Sequence, residues 1–419
     1  MSIVVMKFGG TSLADAEKIR SAARRAVRTA RQGHQVVMVV SAMGKSTDGL
    51  EDLARQVMRN KPAPKREMDQ LLSTGEQVTI ALMAMAIEEM GMPAISFTAG
   101  QIGMVTDERH TKARIKSIAA KTIHRQLDAG KIAIIAGFQG VTEAGAITTL
   151  GRGGSNVTLV AIAATLKADM CENYTDVDGI YTTDPRLVPT AKKISQISYD
   201  EMLELSSLGA NVLHNRAVEF AKKYNVPIHV RSSLNNKKGT LIVAETESME
   251  HILVSGAALK NKLARISFRS VPDRPGTAAK IFHTMAKADI VVDDIIQNSD
   301  GSLAMVAFTT ELAELPDAKK VCDEIAKDLG CSVTYEKHLA KVSVVGVGMR
   351  VHTGVAERMF AALAKAKINI QNITTSEIKI SCLIDGKDAT KALNLVHDAF
   401  ELGGKKRQAK KPAKKTRKK

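Results

Sequence analysis

The sequence predicts an α/β protein, a three-layer αβα sandwich on a mostly parallel central sheet, followed by two smaller α/β modules. Two observations predict it. From residue 1 to about 245, short β-branched runs alternate with longer helix-patterned stretches, and such alternation lays parallel strands between two layers of helices. After Gly239 the alternation stops and the chain repeats itself: Gly276, Phe282 and Ile290 of one copy recur as Gly354, Phe360 and Ile368 of the next. Each copy reads as strand, glycine turn, amphipathic helix, strand.

Taken in order, the strands are Ile3 to Phe8, Val36 to Ser41, Ala94 to Phe97, Ile132 to Ala136, Met170 to Thr175 and Pro227 to Val230, each a short apolar run bounded by polar or turn residues. Between them, helical periodicity covers Asp15 to Gln32, Asp48 to Arg59, Glu67 to Met90, Ala113 to Asp128, Asn156 to Lys167 and Asn215 to Tyr224. The expected organisation is a large domain over 1–245, a first module over 246–335, and a second over 336–404 completed by a strand from about 250–262. A disordered basic tail over 405–419 ends the chain.

The bulk numbers fit a soluble, multidomain chain. Its 419 residues exceed one ordinary core, and 44% hydrophobic with 25% charged residues is a globular mix. No apolar run reaches the length of a membrane span and no basic segment precedes the apolar N-terminus, so a cytoplasmic protein without a membrane partner is expected. The net charge of +16 belongs largely to the end: the last fifteen residues hold ten Lys or Arg and no acid. That block has no aromatic residue to stack on bases, so no nucleic-acid partner is expected. Cys171, Cys322, Cys331 and Cys382 form no CxxC pair and no metal-ligand spacing; they read as free thiols, and no metal site is expected.

Three loops carry candidate chemistry. In MKFGGTS, Lys7 ends a strand and Gly9 and Gly10 form the turn into a helix, which is the composition of an anion cradle, although neither GxxxxGK[ST] nor GxGxxG is present. In TLGRGGSNVT, the planar fork of Arg152 suits a carboxylate, and Ser155 either caps the following helix or donates to a ligand. In YTDVDGIYTTDPR, Asp176, Asp178, Asp184 and Arg186 surround a DG turn; these carboxylates either bond their own backbone or meet a sugar hydroxyl or a metal. Two anion-ready turns in one α/β domain suggest a site for two anionic molecules.

In their order and spacing, KFGGTS at Lys7, VVSAMGKSTDGL from Val39, LLSTGEQ from Leu71, GFQG from Gly137, TTLGRGGS from Thr148 and TDVDGIYTTDPR from Thr175 resemble the aspartate kinase family. The repeats resemble its two ACT domains. The resemblance covers the chain to about Leu402 and implies the amino-acid kinase fold with two ferredoxin-like βαββαβ modules. It implies transfer of the γ-phosphoryl of ATP, with Mg2+, to the side-chain carboxylate of L-aspartate, opening lysine, threonine and methionine synthesis. A carboxylic acid of pKa near 4 is already ionised at neutral pH, so such a reaction needs two anions aligned and neutralised rather than a general base.

On that resemblance, Lys7, Arg152 and Asn156 are the catalytic positions. Lys7, Gly9, Gly10, Ser41, Thr175, Asp176, Tyr181, Asp184 and Arg186 match nucleotide contacts, and Thr47, Glu76, Phe138, Arg152, Gly153 and Ser155 match aspartate contacts. Asp273, Gly276, Thr277, Gln297, Asn298, Asn369 and Ile370 match the effector sites, which implies feedback by lysine, threonine or both and a homodimer or larger oligomer built through the modules. The family's motif normally reads GRGGSD, and a lysine usually stands where this chain has Asn211. These departures at Asn156 and Asn211 open an alternative, a catalytically weakened amino-acid sensor. An internal start near Met249 would yield a separate regulatory subunit.

Overall fold

A computed structural model describes residues 1–209, 212–250 and 252–404. The chain divides into two compact units, the first made of Met1–Ile180 with Lys193–Met249, the second of Tyr181–Lys192 with the residues from Glu250 onward. No described helix is long and apolar enough to cross a membrane.

The first unit is built on an eight-stranded sheet. Its strand order is Gln196–Ser198, Thr240–Val243, Ile228–Ser232, Met170–Thr175, Ile3–Phe8, Gln35–Val40, Ile132–Ala136 and Ala94–Phe97. Every neighbouring pair is parallel except Ile228–Ser232 with Thr240–Val243. The central strands are buried on both faces, which is why they read as continuous Val and Ile runs rather than alternating ones. Helix Ala16–Arg31 lays Ile19, Ala22, Ala23, Ala26 and Val27 on one face of that sheet. Asp15 starts it by accepting the Lys18 N–H at 2.9 Å, a cap worth about 1 kcal/mol. Helix Gly154–Leu166 is buried on nearly every side and packs against strands Ile3–Phe8 and Met170–Thr175.

Two expected helices are corrected by the structure. The stretch from Glu67 to Met90 is two helices, Lys65–Leu72 and Thr74–Glu89, joined at Ser73. The hydroxyls of Ser73 and Thr74 bond back to the carbonyls of Gln70 and Leu71, and the Ser73 carbonyl accepts from Gln139 Nε2 at 3.1 Å. Local hydroxyl bonds and a tertiary donor thus compete with the helical ladder at one residue. The stretch from Ala113 to Asp128 is a loop, a short strand Ile115–Ser117 and a helix that starts only at Ala120. Its first backbone donors are already engaged: Ala113 N bonds Thr149 O at 2.9 Å and Arg114 N bonds Asp107 Oδ1 at 2.9 Å. That strand joins Val105–Thr106, Gln139–Val141 and Ile147–Thr149 in a small four-stranded sheet that periodicity did not reveal.

The second unit carries one six-stranded antiparallel sheet, ordered Asp293–Asp300, Leu303–Glu311, Gly256–Pro272, Ser332–Val345, Lys379–Asp385 and Asn372–Thr375. The two copies of the repeat share it through the long strand Gly256–Pro272. That strand's first residues pair with Lys341–Val345, and its later ones pair with Leu303–Glu311 and with Ser332–Glu336. Each copy has its own core, one around Phe268, Phe308 and Ile281, the other around Met359, Leu363 and Leu393. Segment Tyr181–Lys192 belongs to this unit: Val188 enters the second core, and Thr182 Oγ1 lies 3.0 Å from Nε2 of the buried His397. Cys171, Cys322 and Cys382 are buried free thiols, and Cys331 is partly exposed.

Candidate active site

The carboxyl ends of strands Ile3–Phe8, Gln35–Val40 and Ile132–Ala136 open into a cavity of 960 Å³ within the first unit, where ligands of open α/β sheets bind. Lys7, Gly10, Ser41, Thr47, Glu76, Phe138, Arg152, Gly153, Ser155 and Asn156 all line it. The sequence resemblance puts these residues in one site, and the fold brings them together from five separate stretches.

Lys7 is buried at the end of the first strand, and removal from water pulls its ammonium down to about 8. An anion beside it reverses that effect by favouring the charged form. Gly10 follows in a short 3₁₀ turn, Gly10–Leu13. Its backbone passes so close to the Ala42 carbonyl that a Cβ would stand 2.8 Å from that oxygen, so only glycine fits.

Glu76 stands in the first turn of helix Thr74–Glu89, where the break at Ser73 aims it at the cavity. Its Oε1 accepts the Ala42 N–H at 3.0 Å, whereas the buried Oε2 has no hydrogen-bond partner among the described residues. Burial pushes its carboxyl up to about 7 against the opposing pull of that backbone bond. A buried carboxylate with one free oxygen suits a cationic ligand group.

The glycine loop enters helix Gly154–Leu166 with Gly151 and Gly153 at φ +77° and +72°. Gly153 itself is the N-terminal cap residue, so Ser155 does not cap the helix, which starts two residues before the expected Asn156. A Cβ on Gly153 would lie 2.3 Å from Cβ of His214, a ring whose pKa burial lowers. Ser155 packs so tightly on Gly137 that a Cβ there would meet it at 2.8 Å. Phe138 adopts φ +70°, held by Thr158 Oγ1 on its N–H and by Leu150 N on its carbonyl. Asn156 has a buried Oδ1 with no described partner. Asn211 lies outside the described residues.

Sequence reasoning missed part of the lining. Arg109, Lys112, Arg114 and Arg216 bring the cavity to six Lys or Arg side chains against three carboxylates, Asp48, Glu51 and Glu76. The run DERHTKAR, Asp107 to Arg114, is a visible basic signal, and only its last two residues fall in the expected helix from Ala113. Arg216 and His214, by contrast, come from a distant segment, in which the sequence resemblance marks only Asn211.

Other expected residues fall outside this lining. Gly9 sits beside it, its N–H on the Tyr174 carbonyl at 3.4 Å. Thr175 ends the neighbouring strand and is tied to the first loop by Ser233, which bonds both the Thr175 carbonyl and Ser12 Oγ. Asp176 accepts from Thr175 Oγ1 at 3.0 Å. Tyr181, Asp184 and Arg186 belong to the second unit, where Arg186 clasps Asp184 at 2.7 Å and holds its carboxyl below the usual range.

In the second unit, Gly276 at φ +96° caps helix Thr277–Lys287 and leaves Thr277 buried. Gln297 Nε2 approaches Asp273 Oδ1 at 3.4 Å, with Asn298 next on the same strand. Asn369 and Ile370 lie in the second copy, between helix Val355–Lys365 and strand Asn372–Thr375.

Comparison with known proteins identifies the family. The amino acid kinase family profile matches residues 2–232, and ACT domain profiles match 264–330 and 342–400. The chain is 51% identical to an aspartokinase of Geobacillus stearothermophilus over 96% of its own length and 98% of that protein's. It is 49% identical to an aspartate kinase of Pseudomonas fluorescens, covering 97% of this chain and 100% of that one. Among solved structures, Escherichia coli aspartokinase III in complex with aspartate and ADP, an R-state, superposes with a TM-score of 0.79 at 27% identity, covering 95% of this chain and 99% of that one. The same enzyme with lysine and aspartate, a T-state, gives 0.77 at 28% identity over 95% and 99% of the two chains.

Proposed function

The chain belongs to the aspartate kinases of the amino acid kinase family, and from that premise we propose how its own residues carry the reaction. The observation that bears most weight is the cavity that joins two glycine turns: Lys7 stands at one, Arg152 at the other, and Glu76, which has an unpaired buried oxygen, lines the same space.

L-Aspartate binds on the side of the second turn. Arg152 takes a carboxylate through paired N–H donors, Glu76 takes the α-ammonium, and Thr47, Phe138, Gly153 and Ser155 complete the contacts. ATP lays its phosphates on Gly9, Gly10 and Lys7, with Ser41 beside them and Thr175 and Asp176 toward the ribose. Tyr181, Asp184 and Arg186 belong to the same nucleotide segment of the sequence. Magnesium bound to the triphosphate would add positive charge to that of the lining.

The β-carboxylate oxygen then attacks the γ-phosphorus in line as the bond to the β,γ-bridging oxygen breaks, giving 4-phospho-L-aspartate and ADP. Lys7 follows the charge that develops on the transferred group, and Asn156 in the first turn of helix Gly154–Leu166 orients it by hydrogen bonding. No proton transfer is needed to make the nucleophile.

The ACT domains make the enzyme a regulated one. We assign inhibition by lysine, threonine or both to sites built from Asp273, Gly276, Thr277, Gln297, Asn298, Asn369 and Ile370, and assembly to at least a homodimer through these domains. The lysine-bound T-state of the Escherichia coli relative supports an effector of this class. Inhibited formation of an acyl phosphate at the head of lysine, threonine and methionine synthesis follows from the same reading.

The test is hydroxylamine trapping with ATP, magnesium and L-aspartate, with and without lysine and threonine, on the wild type and on Arg152→Ala. Aspartyl hydroxamate that falls with effector, and by about two to three orders of magnitude in Arg152→Ala, is expected. Wild-type kinetics in that variant would remove Arg152 from the site. Effector binding without any hydroxamate would instead mark a sensor weakened at Asn156.

A further inference from the structure

Behind the cavity, one buried carboxylate joins the two loops that supply its cations. Asp69, on helix Lys65–Leu72, is fully buried. Its Oδ1 accepts from Thr149 Oγ1 at 2.5 Å and from Thr111 N at 3.0 Å, and Oδ2 shares the Thr111 N–H and lies 2.8 Å from His110 Nδ1. A single oxygen therefore bridges the strand that leads into the glycine loop and the basic loop of Arg109, Lys112 and Arg114.

A second clamp holds the same pair. Arg216 Nη1 donates to the Leu150 carbonyl at 2.6 Å and Nη2 to the Ala113 carbonyl at 3.1 Å. Between the clamps, Ala113 N bonds Thr149 O at 2.9 Å, and a Cβ on Gly151 would stand 2.9 Å from the Thr111 carbonyl. The loops thus touch along their length, although both carry cations and repel.

We propose that Asp69 is a positioning residue for the kinase reaction, locking the basic loop 109–114 onto the glycine loop 149–154 so that Arg152 and its neighbours are held where the amino-acid substrate binds. The inference rests on the assignment of L-aspartate to the glycine loop. Asp69 itself does not line the cavity; its effect passes through Thr111 and Thr149. Loss of the carboxylate leaves a part-buried N–H and a buried hydroxyl without an acceptor, and the loops separate to reach water. Because Lys7, Gly10 and Ser41 come from other strand ends, the nucleotide side keeps its geometry.

The test separates the two substrates. Asp69→Ala and Thr149→Val are measured by steady-state kinetics with thermal melting as the check on folding. Each is expected to raise KM for L-aspartate, by about tenfold or more in Asp69→Ala, with KM for ATP changed less than about twofold. Asp69→Asn, which keeps an acceptor at Oδ1, is expected to recover much of that loss. Combining Asp69→Ala with Arg216→Ala should cost less than the product of the single effects, because one loop contact is lost twice.

If Asp69→Ala fails to fold, Thr149→Val alone decides, since it removes the bridging hydroxyl and keeps the shape. Unchanged KM for L-aspartate in a folded variant, or equal rises for both substrates, overturns the inference. Arg152→Ala is the control: wild-type L-aspartate kinetics there would sink the site assignment itself, whereas a damaged Arg152→Ala beside a normal Thr149→Val would sink only the role of Asp69.

Discussion

The carboxylate of Glu76 accepts the backbone N–H of Ala42 at 3.0 Å, which fastens the helix that follows Ser73 to the loop that leaves the second strand of the central sheet. Its other oxygen is buried without a described partner, on a side chain that lines the cavity. One side chain therefore ties two elements of the site together with one oxygen and leaves the other unpaired.

Because burial raises Glu76 to about 7, the ligand-free site is protonated at this position in mildly acid solution. On the proposed assignment the ammonium of L-aspartate binds the ionised form, so KM for L-aspartate should rise as pH falls below 7 while KM for ATP stays flat. Glu76→Gln should lose that pH dependence together with affinity. In stability the sign is opposite to an ordinary salt-bridged acid. The folded chain binds the proton more tightly than the unfolded one, so this group's contribution declines as pH rises from about 4.5 to 7. Melting of the ligand-free protein against pH, wild type and Glu76→Gln, measures it.

Lys7 is lowered to about 8 by burial, so below that pH the ligand-free fold carries a buried charge. Lys7→Met should raise the melting temperature of the ligand-free protein at pH 7 while reducing turnover by two or more orders of magnitude, in the direction of stability exchanged for function. The linkage runs the other way from Glu76: the folded chain releases this proton first, so the wild type gains stability from pH 8 to 10.5 relative to Lys7→Met. A variant that is both active and no more stable would contradict the reading.

Gly153→Ala should be among the most damaging small changes in the chain. The position has φ +72°, and the new Cβ meets His214 at 2.3 Å. A loss of about 2–4 kcal/mol in chemical denaturation is expected, together with a loss of L-aspartate affinity. Removing the imidazole in Gly153→Ala/His214→Ala should recover only part, because His214 Cβ remains.

In the second unit, Gln297→Ala removes the amide that meets Asp273. Inhibition by lysine or threonine should weaken by about tenfold in the half-inhibiting concentration, with uninhibited kcat and both KM values unchanged. A change in uninhibited kinetics with normal inhibition would take Gln297 out of the effector site.

Much of this was legible in the residues themselves. Parallel strands announced themselves as Val and Ile runs such as Val36 to Val40, since a strand covered on both faces has no polar side. Lys7, Gly10 and Arg152 were legible because an anion cradle needs glycine and a cation at the end of a strand. The break at Ser73 and the loop at Ala113 were not, because each depends on a partner far along the chain: Gln139 for the one, Thr149 and Arg216 for the other.

Local chemistry therefore determined the fold class, the repeated modules, the turns and the cations at them, since periodicity and glycine placement act over a few residues. Only the tertiary structure decided which of those cations face one cavity, that Asp69 and Arg216 clamp its two loops, and that Tyr181–Lys192 packs with the second unit. The reason is physical. A buried carboxylate or guanidinium is placed by the donors and acceptors it must satisfy, and for Asp69 and Arg216 those lie forty or more residues away.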